Sequence, residues 1–391
     1  MSEELLVTFN AGSSTVKIGL FEMTPGGPRR VARGVIDQRS HPPRLTMQEG
    51  PGSIDIELAP EAAADMQAAL AETFAHLSGH FDPESVVAIG HRVVHGGDVF
   101  AGPARIDDAV LEAIDKLTAL APLHQPKALS LIRALHALRP GMPQFASFDT
   151  AFHRGNAEVV RRFAIPRALH EQGVKRYGFH GLSYKYVAAE LARRAPGLAA
   201  GRVVIAHLGS GASLCALAGG VSRDSSMGFS TLDGIPMATR CGALDPGVLL
   251  HLLAAGMSVK ELERTLYNRS GLLGVSGISA DSRVLLESDR PEAREAIELF
   301  TFRTAGEVAR LAATLGGLDA IVFTAGIGEH QPVVRAGICE RLAWLGLRID
   351  AEANARNAPS FAAPGSTVGA LVIPTDEEEV IASEAFSLAR G

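Results

Sequence analysis

Cysteine is scarce in this chain. Among its 391 residues only Cys215, Cys241 and Cys339 occur, and they lie far apart in the sequence. No two of them form the close C-x-x-C pair that structural zinc sites use, and three scattered residues do not make a disulfide framework. The sequence therefore argues against a fold held together by zinc or by disulfides.

Long apolar runs and an excess of basic charge are also missing. No apolar run approaches the roughly 20 residues that span a bilayer, and the formal net charge is −6. The first residues, Met1 to Glu4, are acidic, whereas a secretory signal begins with basic and then apolar residues. Together with 47% hydrophobic and 20% charged residues, this indicates a compact cytoplasmic enzyme with no nucleic-acid or membrane partner.

The usual nucleotide-binding fingerprints are absent too. The sequence contains no G-x-x-x-x-G-K-[ST] loop and no G-x-G-x-x-G after a strand. Any phosphate site must therefore use other glycine-rich segments, of which Gly326-Ile-Gly328 is one.

A glycine- and serine-rich loop occurs twice instead. Residues 5–21 (LLVTFNAGSSTVKIGLF) and 202–217 (RVVIAHLGSGASLCAL) each show an apolar run, a Gly/Ser break and a second apolar stretch. In the first copy Val16, Ile18 and Leu20 alternate with other residues, which predicts a half-buried strand. Each copy is thus predicted to be a hairpin whose tip can wrap an anion through its N–H groups. Two copies indicate a duplicated domain with phosphate bound between the halves.

The order of predicted elements repeats as well. Hydrophobic periodicity in the first half predicts strands over 31–58, 86–89 and 145–148 and helices over 61–78, 108–120 and 127–138. In the second half it predicts helices near 246–256 and 292–315 and a buried strand over 319–324. We therefore predict two similar α/β domains, residues 1–150 and 151–379. A final helix over about 377–389 fits either half, and residues 380–391 are assigned to the first.

The first hairpin offers groups for phosphate and metal. Asn10 supplies a carbonyl oxygen, Ser13 and Ser14 supply donors, and Lys17 supplies a positive charge. A tight hairpin with a solvated lysine is the alternative.

Two further segments of the first half carry candidate chemistry. Arg92 stands between a buried strand and a glycine pair, which suits a small carboxylate with an apolar tail, and a surface salt bridge is the alternative. His91 and His95 are taken as structural histidines. Asp149 ends a strand, where it either faces a ligand crevice or caps a helix.

In the second half, His180 lies just before a helical stretch with Ser183 as its candidate cap. It either donates to a developing charge or has a capping or core role. Arg240 belongs to a long aperiodic stretch, 225–242, of the kind that is commonly functional, although a surface arginine is the alternative. The acidic residues 376–379 suit the first turn of a helix, and one of them is also a candidate ligand for a divalent cation.

Nine motifs, taken in order, resemble the acetate kinase family almost end to end. They are N-A-G-S-S-x-x-K at 10–17, G-H-R-V-V-H-G-G at 90–97, A-P-L-H at 121–124, F-D-T-A-F-H at 148–153, Y-G-F-H-G at 177–181, H-L-G-S-G-A-S at 207–213, T-R-C-G at 239–242, F-T-A-G-I-G-E at 323–329 and V-I-P-T-D-E-E at 372–378. The resemblance implies a duplicated α/β, ribonuclease-H-like (actin-like ATPase) fold with two similar domains and the active site in the cleft between them. It also implies a homodimer that phosphorylates acetate or another short-chain fatty acid reversibly with ATP and Mg²⁺, with Mn²⁺ as the alternative ion.

The resemblance also assigns roles by position. Arg92 and Arg240 bind the carboxylate and the phosphoryl group in flight, His180 stabilises the transition state, and Asp149 lies beside the carboxylate. The remaining positions are Val94, Leu123, Phe179 and Thr231 for the acyl group, Asn10 and Glu377 for Mg²⁺, and Lys17, His207, Leu208, Gly209, Ser210, Gly211, Asp281, Ser282, Arg283, Gly326, Ile327, Gly328 and His330 for ATP.

Some positions depart from the family pattern. Ser230-Thr-Leu-Asp-Gly stands where the family usually has Thr-Pro-Leu-Glu-Gly, so Thr231 replaces a pocket proline. Ser210 and His330 stand where asparagines are usual. A pocket change of one methylene is worth only roughly 1–3 kcal/mol, which leaves the choice between acetate and propionate open.

Three functions fit the sequence. The first is a short-chain carboxylate kinase, and the second is a kinase of a longer acid such as butyrate, or of a sugar. A sugar kinase would use Asp149 as its base, but a neutral hydroxyl needs no pair of arginines. The third is an ATP-driven binding module like actin or the heat-shock proteins, and 391 residues leave no room for a separate peptide-binding domain.

Overall fold

The computed structural model describes residues 4–12, 15–37, 40, 42–50, 52–59, 66–77 and 81–391. Ser13 and Ser14 lie outside these residues. The strands are β1 Leu5–Ala11, β2 Thr15–Thr24, β3 Gly27–Asp37, β4 Arg44–Glu49, β5 Gly52–Glu57, β6 Val86–Val93, β7 Ala104–Arg105, β8 Gln144–Phe148, β9 Arg202–Leu208, β10 Ala212–Ala218, β11 Val221–Ser225, β12 Ala320–Thr324 and β13 Gly369–Val372.

The helices alternate with these strands after residue 60. They are α1 Met66–Leu77, α2 Asp108–Lys116, α3 Gln125–Leu138, α4 Glu158–Arg161, α5 Arg167–Glu171, α6 Gly181–Arg194, α7 Pro196–Ala199, α8 Pro246–Ala254, α9 Val259–Asn268, α10 Gly271–Ser276, α11 Ser282–Leu286, α12 Pro291–Leu315, α13 Ala325–His330, α14 Pro332–Glu340, α15 Ala351–Ala355 and α16 Glu377–Arg390. Short 3-10 turns occur at Pro83–Ser85, Leu117–Leu120, Asp149–His153 and Ala343–Leu345.

Two compact units divide the chain. The first comprises Met1–Arg154 and Asp376–Gly391, and the second comprises Gly155–Thr375. The chain therefore leaves the first unit after β8 and returns to it for α16.

The sheets of the two units share one pairing pattern. Their strand orders are β5-β4-β3-β2-β1-β6-β8-β7 and β11-β10-β9-β12-β13. In each unit the leading strand, β1 or β9, begins an antiparallel meander of three strands. On its other edge it pairs parallel with β6 or β12, which pairs parallel with β8 or β13. The predicted duplication is thus present strand for strand, and the first unit adds β4, β5 and β7.

Both predicted glycine- and serine-rich hairpins are confirmed. The last facing pair is Ala11 with Val16 in the first hairpin and Leu208 with Ala212 in the second. The tip of the second hairpin therefore spans residues 209–211.

The core of the first unit lies on both faces of its sheet. Every residue of β1 is buried, as expected for a central strand that is covered on both sides. Alternate residues such as Val7 pack in the cluster that contains Leu70 of α1 and Leu135 of α3, whereas Leu6 packs with Ala385 of α16. In the second unit α12 packs on β9, β10 and β11.

Glycine at position 90 permits the close packing of α16 on β6. A Cβ atom added to Gly90 would lie 2.6 Å from Cγ2 of Ile381. A larger residue would therefore displace the helix that carries Glu377.

Several predicted elements have different ends in the structure. The helix predicted over 108–120 ends at Lys116 and continues as the 3-10 turn Leu117–Leu120, and the strand predicted over 86–89 extends to Val93. This extension places Arg92 inside a strand. Among the described residues, no helix is long and apolar enough to cross a membrane.

Candidate functional site

Three parallel strands of the first unit end beside one another. β1, β6 and β8 are sheet neighbours, and Asn10, Arg92 and Asp149 lie at or just after their carboxyl ends. Ligand crevices in α/β sheets lie at this edge. The fold therefore brings three predicted site residues together within one unit.

Arg92 forms a two-pronged ion pair with Asp149. Its Nε lies 3.2 and 3.1 Å from Oδ1 and Oδ2 of Asp149, and its Nη2 lies 2.6 Å from Oδ2. The Arg92 side chain is only 13% exposed and that of Asp149 is fully buried, so the surface salt bridge considered for Arg92 is wrong. The helix-cap interpretation of Asp149 is also wrong, because Phe148 occupies the cap position of the 3-10 turn.

The charge of Arg92 is secured by its surroundings. Burial acts to lower the pKa of Arg92, but the carboxylates of Asp149, Glu377 and Glu378 outweigh burial and raise it above its ordinary value. The guanidinium is therefore a permanent cation.

Asn10 links this ion pair to the start of α16. Its Oδ1 accepts a hydrogen bond from Arg92 Nη1 at 3.0 Å. Its Nδ2 lies 2.7 Å from Oε2 of Glu377 and 2.7 Å from Oε1 of Glu378. Lys17 Nζ lies 4.0 Å from Glu378 Oε1, with a half-exposed side chain. The sequence named Glu378 only as one of the acidic residues 376–379, and the structure makes it a member of the site.

The two glutamates are close enough to influence each other. Burial raises the pKa of Glu378, and the neighbouring Glu377 carboxylate raises it further, whereas Lys17 acts in the opposite direction. Glu378 therefore holds its proton more readily than an exposed glutamate.

The donor set of this cluster fits a hard divalent cation. Three carboxyl groups, of Asp149, Glu377 and Glu378, lie beside two cationic side chains, of Arg92 and Lys17. Within the described residues no group of three or more His, Cys, Asp and Glu could form a cage for a metal ion. Mg²⁺ needs no such cage, since it is usually held by one or two carboxylates together with water and substrate phosphates.

The histidines flanking Arg92 are structural, as predicted. His91 is buried, its Nε2 lies 2.7 Å from Gln144 Oε1, and its ring stacks on Phe9 at 5.9 Å. His95 is also buried and accepts a hydrogen bond from the backbone N–H of Gly97. Burial lowers the pKa of His91 and of His95 to about 4, so both are neutral at pH 7.

Two histidines stack on each other in the second unit. The ring centroids of His180 and His207 are 4.2 Å apart at an interplanar angle of 18°. Nδ1 of His180 lies 2.7 Å from Oγ of Ser213, and Nδ1 of His207 lies 2.8 Å from Oγ of Ser183. Ser183 was expected to cap α6, and this is wrong: the helix starts at Gly181 without a side-chain cap.

The backbone of His180 is strained. Its φ of 56° lies in the left-handed region, which costs energy for a residue with a side chain and is found most often at functional positions. The strain aims the imidazole at the second glycine- and serine-rich tip.

Arg240 meets the same tip. It belongs to residues 226–245, which form no helix or strand, as the aperiodic sequence predicted. A Cβ atom at Gly211 would lie 3.7 Å from Arg240 Nη1 and 3.5 Å from His180 Nε2. The two predicted catalytic side chains of this unit are therefore neighbours, and Arg240 also donates to the carbonyl of Thr231 at 3.3 Å.

Two side chains that were not predicted hold this loop. Arg176 Nη1 donates to Asp233 Oδ2 at 2.7 Å, and Tyr267 forms side-chain hydrogen bonds with Ser230 and Thr231. Burial raises the pKa of Tyr267, so its hydroxyl stays protonated. The only sequence signal for Arg176 is that it immediately precedes the Y-G-F-H-G motif.

The four positions assigned to the acyl group differ in exposure. Val94 and Phe179 are buried and Thr231 is nearly so, whereas Leu123 is 43% exposed. The backbone carbonyl of Thr231 accepts a hydrogen bond from Arg240, a predicted catalytic residue.

The ATP positions of the second unit come together from three segments. Residues 207–211 form the end of β9 and its tip, and a Cβ atom at Gly209 would lie 3.6 Å from Cβ of Ala325, the first residue of α13. Gly326, Ile327, Gly328 and His330 all lie in α13. Gln331 follows α13, and its Nε2 donates to Ser282 Oγ at 2.6 Å. This bond links α13 to α11, where Asp281 is the cap and forms an ion pair with Arg283.

Comparisons with known proteins identify the family of this chain. The model of the acetokinase family matches residues 5–383. An acetate kinase from Rhodopseudomonas palustris is 48% identical, with all of both chains covered. The chain belongs to the acetokinase family.

Solved structures of acetokinase relatives have the same fold. A propionate kinase from Francisella tularensis superposes with a TM-score of 0.91 at 35% identity, over 98% of this chain and 99% of that one. An acetate kinase from Porphyromonas gingivalis has a TM-score of 0.87 at 32% identity, over 99% and 100%. The family resemblance and the duplicated α/β fold are therefore confirmed, while the roles of individual residues stay predictions.

Proposed function

We propose that this acetokinase transfers the γ-phosphoryl group of ATP to the carboxylate of acetate, reversibly and with Mg²⁺. The observation that carries the proposal is a permanently charged guanidinium, that of Arg92, fixed at the carboxyl edge of the first sheet. The 48% identity to an acetate kinase over the whole chain supports acetate as the acceptor.

Arg92 has donors to spare for a substrate. Asp149 engages its Nε and Nη2, and Asn10 engages its Nη1. A guanidinium carries five N–H donors, so these bonds with described residues leave one hydrogen on each terminal nitrogen. This edge matches the two oxygens of a carboxylate. In the proposed function Asp149 and Asn10 aim Arg92 and do not compete with acetate for it.

The transfer itself needs no base. One acetate oxygen attacks the γ-phosphorus, the bond from this phosphorus to the bridging oxygen of ADP breaks, and that oxygen leaves with the electron pair. Acetate is already ionised at pH 7. The barrier comes from joining two anions, and Arg92, Arg240 and His180 offset this repulsion as charge develops.

Asn10 and Glu377 are proposed to hold Mg²⁺, directly or through water, with Mn²⁺ as the alternative. The two side chains lie together, with Asn10 Nδ2 at 2.7 Å from Glu377 Oε2. This supports the proposal, because carboxylate and amide oxygens are ligands that Mg²⁺ takes in proteins. When bound, the ion neutralises phosphate charge and orients the γ-phosphoryl group.

The nucleotide is proposed to use the three joined segments of the second unit. His207, Leu208, Gly209, Ser210 and Gly211 would face the phosphates, and Lys17 of the first unit would add a positive charge. Asp281, Ser282, Arg283, Gly326, Ile327, Gly328 and His330 would contact the adenosine.

The acyl-chain preference is proposed to depend on Thr231. The relatives of this chain include a propionate kinase. Val94, Leu123 and Phe179 would line the same acyl pocket as Thr231.

A hydroxamate assay with ATP and acetate, propionate, butyrate or glycerol tests the proposed function. We expect acyl phosphate from acetate and, less efficiently, from propionate, and no product from glycerol. The absence of product with every acid would refute the function, and a preference for butyrate would favour the longer-acid alternative.

A homodimer is proposed as the working form, in the cytoplasm where ATP is supplied. The support is α8, a helix with no buried residue that exposes Leu250 by 69%. Light scattering on the purified protein should give twice the chain mass. Leu250→Lys should shift it towards the monomer, whereas Val159→Lys, at an exposed apolar position on α4, should not.

A further inference from the structure

The hydroxyl of Ser213 lies between two polar side chains. Its Oγ is 2.7 Å from Nδ1 of His180 and 2.5 Å from Oη of Tyr184. Ser213 and Tyr184 are both fully buried, on β10 and α6. Buried polar atoms at these distances are hydrogen-bonded, so each of the two contacts needs one donor and one acceptor.

Only one arrangement of protons lets the phenol of Tyr184, the stronger donor of the two hydroxyls, donate to Ser213. Serine has a single hydroxyl hydrogen, so it can donate to His180 or to Tyr184 but not to both. A phenol is the more acidic hydroxyl and the poorer acceptor, so Tyr184 donates to Ser213. Ser213 then donates to Nδ1 of His180, which must be unprotonated in order to accept.

We propose that Tyr184 and Ser213 are positioning residues that hold neutral His180 as its Nε2–H tautomer. Which ring nitrogen carries the proton is set by the hydrogen bond at the other nitrogen. Nε2 is the atom of His180 that lies near Gly211 and Arg240 Nη1. The relay therefore presents an N–H donor there, next to the guanidinium, without requiring an imidazolium.

The catalytic consequence rests on the proposed function. If the γ-phosphoryl group passes this tip, the Nε2–H of His180 donates to the charge that develops on that group. The stack of His207 on His180 at 4.2 Å keeps the ring plane fixed. His207 has its own serine, Ser183, which provides a matched control.

Nitrogen-15 NMR of histidine-labelled protein tests the tautomer directly. The His180 signals are assigned by their loss in His180→Asn. We expect a protonated Nε2 and an unprotonated Nδ1 in the wild type at pH 8. In Ser213→Ala the hydroxyl that donates to Nδ1 is lost, so the Nδ1–H form should rise. A wild-type His180 protonated at Nδ1 would overturn the proposal, as would a tautomer unchanged in Ser213→Ala.

Kinetics separates positioning from a merely structural role. Tyr184→Phe and Ser213→Ala should lower kcat by about tenfold or more, because a transition-state donor is partly lost, with KM for acetate and ATP changed less than twofold. Ser213→Thr, which keeps the hydroxyl, should retain more activity than Ser213→Ala. Ser183→Ala should leave the His180 tautomer unchanged. If the wild type phosphorylates no acid, the proposed function fails, but the NMR result still decides the tautomer.

Discussion

Replacing Arg335 by methionine is expected to destabilise the second unit by about 3–5 kcal/mol. The Arg335 side chain is fully buried. It donates to the carbonyls of Gly328 and Glu329 at 2.9 and 3.0 Å, to Oδ1 and O of Asn354 at 2.8 Å each, and to Oδ1 of Asn357 at 2.7 Å. Methionine fills the volume of the stem but leaves these five oxygens without their donor.

The size of the effect follows from those oxygens. An unsatisfied buried acceptor costs roughly 1–3 kcal/mol. Partial relaxation of the five oxygens towards water keeps their total cost near about 3–5 kcal/mol. For a unit of this size each kcal/mol shifts Tm by about 2–4 °C. We therefore expect a loss of roughly 6–20 °C, measured by scanning calorimetry.

Arg341→Met is the matched control for Arg335→Met. Arg341 is the residue directly after α14, the helix that contains Arg335. Its side chain is about one-third exposed, and its contacts are long, at 3.2 and 3.4 Å. Its loss should change Tm by less than about 4 °C, since exposed ion pairs contribute at most about 1 kcal/mol. An equally small shift in Arg335→Met would refute the reasoning. Because Arg335 binds the last carbonyls of α13, KM for ATP should rise and KM for acetate should not.

Arg240→Ala is expected to lower the phosphoryl-transfer rate at least about a hundredfold, because a charge contact to the transition state is lost; near-normal turnover in a coupled assay would remove Arg240 from the mechanism. Glu377→Gln should raise the Mg²⁺ concentration for half-maximal activity by roughly tenfold, since one carboxylate ligand is lost, and an unchanged titration would exclude Glu377 as a ligand. Burial lowers the pKa of His91 from 6.5 to about 4, against the hydrogen bond with Gln144. Unfolding therefore takes up a proton between about pH 4 and 6.5, and His91 should cost about 3 kcal/mol of stability by pH 4. Urea unfolding of His91→Gln should show a shallower loss of stability over that window, and an unchanged slope would contradict the assignment.

The sequence was enough to place three of the candidate site residues at or near the ends of strands. Asn10, Arg92 and Asp149 each end or follow an apolar run, and local periodicity is enough to locate such positions. The duplication was visible because both hairpins keep a glycine- and serine-rich tip between apolar strands. The nine family motifs then gave the fold as a whole.

The partners of these residues were harder to predict. Asp233 and Arg176 are 57 positions apart, and neither stands in a periodic pattern, so only the folded loop reveals the pair. Ser213 and Tyr184 look like ordinary strand and helix residues, and their relay depends on how α6 lies on β10. Ser183 was misread because α6 already starts at Gly181, after the left-handed His180, which is three residues earlier than a cap at Ser183 would require.

The return of α16 to the first unit has a consequence for how the protein is made. Glu377 and Glu378 meet Asn10 from 367 and 368 positions away, across all of residues 155–375. Closing a loop of that length costs about 5 kcal/mol in chain entropy beyond a constant, and such distant contacts form slowly. On the ribosome, the first sheet emerges long before the helix that covers one of its faces. Until then Arg92 lacks Glu377, and the face around Gly90 is exposed to chaperones or to other chains. A nascent or truncated chain is thus expected to bind ATP through its second unit well before it can phosphorylate acetate.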